Sequence, residues 1–108
     1  MLFRSINYNI KDEKNIWLLE YLIMFNKENI IKILMNYDVR IDITDEQGKL
    51  LLYNIIKFSY ISLLELFLIK DKKLFGKSIL DIQDVDKNIA LFYAIKFNNI
   101  DAVKLILE

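Results

Sequence analysis

The chain has 108 residues, 55% of them hydrophobic, with fifteen acidic and fifteen basic side chains; it makes one small domain, 1–108, richer in apolar residues than the roughly 45–50% usual for soluble domains. The cancelled charge removes the positive field with which nucleic-acid binders draw in phosphate, so no nucleic-acid partner is expected. The absence of cysteine and histidine excludes disulfides, thiolate metal sites, the commonest general base and the commonest zinc ligand.

The apolar run from Ile16 to Phe25 is interrupted by Glu20 and followed by Lys27-Glu28, where a secretory leader would carry small residues. It reads as a helix, and the expected location is intracellular, in the cytoplasm. Leu19, Leu22 and Ile23 are spaced i, i+3, i+4, and so are Ile31, Leu34 and Met35, which places each set on one face of a short helix. Shifted by 33 residues, the same six positions hold Leu52, Ile55, Ile56, Leu64, Phe67 and Leu68. Shifted by a further 39, they hold Leu91, Ala94, Ile95, Val103, Ile106 and Leu107. Six columns that stay apolar through three copies mark an array of helix pairs, each pair a unit that buries its apolar face only against its neighbours.

Leu50 to Ile69 has the length of a membrane span, but it contains Asn54, Lys57 and Glu65. A central lysine costs roughly 2.5–3.5 kcal/mol on insertion. The helix-pair periodicity accounts for the same residues without that cost, so no span is expected. The longer second spacing places six extra residues within Lys70–Ser78, a lysine-rich stretch with a glycine that reads as a solvated loop or, alternatively, as a contact for an acidic partner. Asn98-Asn99 separates the last two helices, since asparagine tolerates the left-handed conformation that ends a helix.

Each helix pair is preceded by an extended segment, Tyr8-Asn9-Ile10, Ile41-Asp42-Ile43 or Leu80-Asp81-Ile82, and then by a turn: Asp12-Glu13-Lys14-Asn15, Asp45-Glu46-Gln47-Gly48 or Asp84-Val85-Asp86-Lys87. The run from Asp84 to Ile95 resembles the ankyrin repeat signature D-x-x-G-x-T-P-L-H-x-A-A, and the resemblance covers nearly the full chain. It implies an all-α solenoid of three helix-turn-helix repeats, at about 12–44, 45–83 and 84–108, joined by short β-hairpin loops. Residues 1–11 would be the tail of a preceding repeat, with Met1-Leu2 at the phase of its last apolar pair. The sequence departs from the signature at Asn15 and Lys87, which replace the tip glycine. The threonine and proline that start the family's first helix are also missing, so those helix starts are expected to fray. Leu105 and Ile106 lack a following helix, and flanking repeats or self-association are expected to cover them.

The resemblance also implies a binding face. Phe25, Phe58 and Phe97 share one repeat position, at the end of each first helix, which in ankyrin stacks faces the concave groove; the rings would form a ladder with steps of about 8–10 Å, the packing distance of helices. Met24, Lys57 and Lys96 flank the ladder. The hairpin tips present Glu46, Gln47, Lys49, Val85, Asp86 and Asn88, with Glu13 and Lys14 in the first repeat. The mixed charge of these positions suits a protein partner better than a polyanion. The alternative is a structural spacer within a longer array, the rings only sealing the seams. Asp84-Val85-Asp86-Lys87-Asn88 opens like a calcium loop, but Ile89 stands at its glycine position and Ile95 at its terminal glutamate. Asp81, Asp84 and Asp86 have no accompanying pocket or phosphate-cradling motif. No catalytic residue, cofactor or metal is expected.

Overall fold

The two apolar triplets of each copy fold into two short helices. The computed structural model describes residues 8–14, 16–71 and 78–108. Helices α1 (Leu18–Met24) and α2 (Glu28–Leu34) form the first pair, α3 (Leu52–Lys57) and α4 (Ile61–Asp71) the second, and α5 (Ala90–Lys96) and α6 (Ile100–Leu107) the third. Contacts run between α1, α3 and α5 and between α2, α4 and α6, as well as within each pair. The result is two rows of helices stacked in register, the all-α solenoid expected from the repeat.

The core follows the columns. Leu19, Ile23 and Ile31 of the first pair, Leu52, Ile55, Ile56, Leu64 and Phe67 of the second, and Ala94 of the third are buried in one continuous cluster. Covered on both sides, the middle pair carries the most completely buried members. In the third pair the pattern breaks, because Ile95 is 64% and Leu107 68% exposed although Ile23 and Ile56, in the same column as Ile95, are buried. Ile23 and Ile56 each have a following helix pair packed onto their own, and among the described residues Ile95 has none.

The reversal inside each pair is built without glycine. Asn26, Ser59 and Asn98 follow the three phenylalanines, and all three have left-handed backbones, with φ of 50°, 57° and 52°. Asparagine and a small polar residue adopt this region most easily after glycine, so the chain turns back at modest cost. Asn99 then caps α6 by accepting from the Ala102 N–H at 3.0 Å. Its side-chain amide donates to the Ile56 carbonyl at 2.9 Å and ties the third reversal to the second pair. The starts of α1, α3 and α5, at Trp17, Leu51 and Ile89, have no side-chain cap hydrogen bond, in keeping with the missing threonine.

Each hairpin is organised by its first aspartate. One oxygen of Asp12 accepts from the amides of Lys14 and Ile16, Asp45 from Gln47 and Lys49, and Asp84 from Asp86 and Asn88, the same offsets of two and four each time. Single bridges, Lys11–Trp17 and Thr44–Leu50, close the first two hairpins. In the third, Leu80 and Asp81 belong to a 3-10 turn, Ile79–Asp81, in place of the expected extended segment, and only Ile82 is extended. The reason is local: Ser78 caps that turn, and Asp71 accepts from the Ser78 hydroxyl at 2.6 Å and the Ile79 amide at 2.9 Å, pinning the far side of the insertion to the end of α4. Residues 72–77 of the insertion, Met1-Leu2 and Asn15 lie outside the described residues. Lys70, at the near side, donates to the carbonyls of Met35 and Tyr37 at 3.3 and 2.6 Å, so its ammonium is committed to the end of the first pair.

At the tip-glycine position Gly48 has φ of 78° and Lys87 has φ of 66°. The turn therefore keeps its shape and Lys87 carries the conformational cost, about 1–2 kcal/mol for a side chain in that region. Lys87→Gly relieves it, less the roughly 0.5–1 kcal/mol of extra chain entropy glycine loses on folding. A net gain of about 0.5 kcal/mol is expected, read as a higher urea midpoint at unchanged slope.

Candidate protein-interaction surface

The hairpin tips and the helices α1, α3 and α5 share one face. On it, Phe25 is 63% and Phe58 51% exposed, and Met24 beside them is also exposed. Each ring has a tyrosine neighbour: Phe25 stacks on Tyr21 at 6.4 Å and Phe58 lies 5.8 Å from Tyr60. Phe97 differs, since it is half-buried edge-on against Tyr53 at 5.4 Å. The column therefore splits into two open rings and one that helps to join the second and third pairs. Lys57 lies over the Tyr53 and Phe58 rings at 5.8 and 5.6 Å, and Lys96 over Phe97 at 5.7 Å. These contacts orient the ammonium groups along the aromatic strip.

At the tips, Glu13, Lys14, Glu46, Gln47, Val85 and Asp86 are exposed on the outer surface, while Lys49 and Asn88 are half-buried. Lys49 reaches Asp86 at 3.3 Å and Asp84 at 3.8 Å, and passes 5.4 Å above the Tyr53 ring. Lys49 and Asp86 thus meet each other across two tips. The tips also touch through their backbones, the Val85 N–H donating to the Gly48 carbonyl at 3.0 Å.

Beneath the third tip lies a network that sequence reading missed. The Tyr93 hydroxyl donates to Asp84 at 2.5 Å and accepts from the Leu50 N–H at 3.2 Å, linking the third hairpin to the start of the second helix pair. Burial opposes the charge on Asp84. The Tyr93 hydroxyl, the Asn88 and Asp86 amides and the Lys49 ammonium outweigh it and hold the carboxyl below its usual range. Burial, then the Asp84 carboxylate, pushes Tyr93 well above the usual tyrosine range. An exposed version joins Tyr21 to Asp12, and the hydrogen bond from Tyr21 is the main cause holding Asp12 below the carboxylate range. A tyrosine nine residues after the hairpin aspartate is the signal that would have found both pairs. In the second hairpin that position is Asn54, whose side chain has no such bond to Asp45 among the described residues.

Between the first and second repeats the same face opens into a cleft of about 330 Å³, lined by Glu20, Met24, Asp45, Glu46, Asn54 and Phe58 among others. Glu20 is only 8% exposed. Burial raises its pKa, the Trp17 N–H at 3.5 Å counters weakly, and the charges of Asp45 and Glu46 raise it further. The arrangement offers apolar and charged surface for contact rather than paired reactive groups. Among the described residues, no cluster suited to holding a metal ion occurs, and no helix is long and apolar enough to cross a membrane.

A family model described as ankyrin repeats (3 copies) matches residues 19–108. A putative ankyrin repeat protein of Acanthamoeba polyphaga mimivirus is 34% identical over 104 residues, which cover 96% of this chain and 14% of that protein. The chain thus spans a small part of the curated relative it matches.

Proposed function

Because the chain belongs to the ankyrin repeat family, whose repeats are in general protein–protein interaction modules, we propose that it captures a partner protein on its concave face and hairpin tips, by contact alone and without chemistry. The repeats at 12–44, 45–83 and 84–108 act as one rigid support. The observation that carries this reading is the open strip of Met24, Phe25 and Phe58 on the face that also bears the tips. Large apolar side chains left exposed side by side are the usual energetic centre of a protein interface. Lys57, Lys96, Glu46, Gln47, Val85 and Asp86 border the strip with mixed charge, which favours a protein over a polyanion.

The test uses a peptide selected from a random display library on the intact chain. Phe25→Ala with Phe58→Ala is expected to weaken that peptide at least tenfold, about 1.4 kcal/mol or more, while the helical circular dichroism stays unchanged because both rings are exposed. Equal affinity would refute the reading. Phe97 is the poorer choice for this test, since its ring supports Tyr53.

A second reading, a spacer inside a longer array, is supported by the exposure of Ile95 and Leu107, the former in a column buried elsewhere. A consensus repeat fused after Glu108 distinguishes the two. A spacer gains several degrees in melting temperature and selects no peptide at all.

A further inference from the structure

Two successive junctions in the chain are built from equivalent positions and differ in what fills them. Moving from the junction of the first and second repeats to that of the second and third replaces Glu20 by Tyr53, Asn54 by Tyr93 and Ile16 by Lys49, while Asp45 corresponds to Asp84 and Phe58 to Phe97. In the second junction these side chains pack against one another. Tyr53 meets Tyr93 at 5.0 Å and Phe97 at 5.4 Å, and the Lys49 ammonium sits between Asp84 and Asp86 above the Tyr53 ring.

In the first junction the two tyrosines and the lysine are absent, and the cleft stands in their place. The carboxylates remain. Asp45 uses one oxygen for the Gln47 and Lys49 amides, and its other oxygen meets no donor among the described residues. Glu20, more than nine-tenths buried as a residue and lining the cleft, accepts from the Trp17 N–H at 3.5 Å with one oxygen; its other oxygen meets no donor among the described residues and, since none of their buried side-chain oxygens is left unsatisfied, keeps its access to the cleft. Glu46 is exposed at the rim. Among the described residues, the ion pairs involve Arg40 or Lys49, and none reaches these three carboxylates. Lys11 acts on Glu20 only weakly, its ammonium lying over the Trp17 ring at 4.5 Å. A largely buried carboxylate without a cation, beside two like charges, is an unfavourable arrangement that an added positive charge relieves.

We infer that this cleft receives the side-chain cation of a lysine or arginine from the bound protein, at the place that Lys49 fills one repeat further on. Met24 and Phe58 flank the entrance and suit the aliphatic stem and the π-facing side of such a group, which a bare metal ion could not use. The inference rests on the concave-face reading and names what that face selects.

The test is a titration of the intact chain with n-butylammonium chloride, followed by nuclear magnetic resonance at the Met24 methyl, the Phe58 ring and the Glu20 carboxyl. Saturable shifts in the millimolar range and a falling Glu20 pKa are expected. n-Butanol, sodium chloride and calcium chloride at matched concentration should produce neither. Glu20→Gln with Glu46→Gln should weaken the ammonium response at least tenfold; the first of these substitutions removes a disfavoured buried charge, and unchanged Ile55 and Leu64 methyl signals verify the fold. A response to butylammonium that matches sodium chloride, or that survives the double substitution, overturns the inference. If the selected peptide still depends on Phe25 and Phe58 in that event, the concave-face reading stands alone.

Discussion

Gly48→Ala is expected to lower the free energy of unfolding by about 2–4 kcal/mol, a loss readily measured by urea denaturation. Two effects add. The backbone at Gly48 has φ of 78°, which costs a side chain about 1–2 kcal/mol. A methyl group there would also lie 2.6 Å from Cβ and 2.7 Å from Cγ1 of Val85, well inside van der Waals contact. The neighbour cannot swing away freely, because the Val85 amide is bonded to the Gly48 carbonyl. A double-mutant cycle separates the two contributions: in a Val85→Gly background the alanine should cost only the conformational part. An equal cost in both backgrounds would show that the tips do not press on each other.

Asp84→Ala is expected to cost a similar 2–4 kcal/mol, and Tyr93→Phe about 1–3 kcal/mol, since each leaves buried hydrogen-bonding groups without partners. The alanine takes away the acceptor for the Tyr93 hydroxyl proton and for the Asp86 and Asn88 amides, while the phenylalanine strands the Leu50 amide and removes one donor from the Asp84 carboxylate. The pH dependence has a definite sign. A carboxyl held below its unfolded value stabilises the fold fully above that value, and the contribution disappears as pH falls through the folded one. For Asp84 the loss therefore sets in below about pH 4, near the unfolded pKa. Asp12 and Asp42, also held low by hydrogen bonds from Tyr21 and Arg40, act in the same direction. Glu20 acts oppositely. Its folded pKa is raised, so protonating it relieves a penalty, and stability contributed by Glu20 rises as pH falls toward its unfolded value. Chemical denaturation of wild type and Asp84→Asn from pH 7 to 3 tests this, and the variant's curve should be flatter below pH 4. Parallel curves would assign the acid sensitivity elsewhere.

Much of this architecture was legible in the residues. The six apolar columns announced the stacked helix pairs because a helix face repeats with a period that hydrophobicity reports directly. The Asn98 reversal and the hairpin aspartates were equally visible, since each acts through its own backbone neighbourhood. What stayed hidden depended on neighbours distant in sequence. Ile95 belongs to a column that reads as core, yet burial needs a facing layer and no described layer meets it. Phe97 shares a column with Phe25 and Phe58 but is half-buried, because Tyr53 lies across from it where the preceding repeat has Glu20. Lys87 takes the glycine conformation because the Asp84 hydrogen bonds determine the turn. The carboxylate-lined cleft was not anticipated, for it arises from what three positions lack relative to the next repeat.

The bond from Val85 to Gly48 and the Lys49–Asp86 pair lock the second and third tips into one unit. A protein that spans both would meet an edge already fixed in its bound shape, so little loop ordering would be charged against its association. Such preorganisation favours shape-selective recognition along that edge, with discrimination resting on fit rather than on loops that mould themselves to many guests.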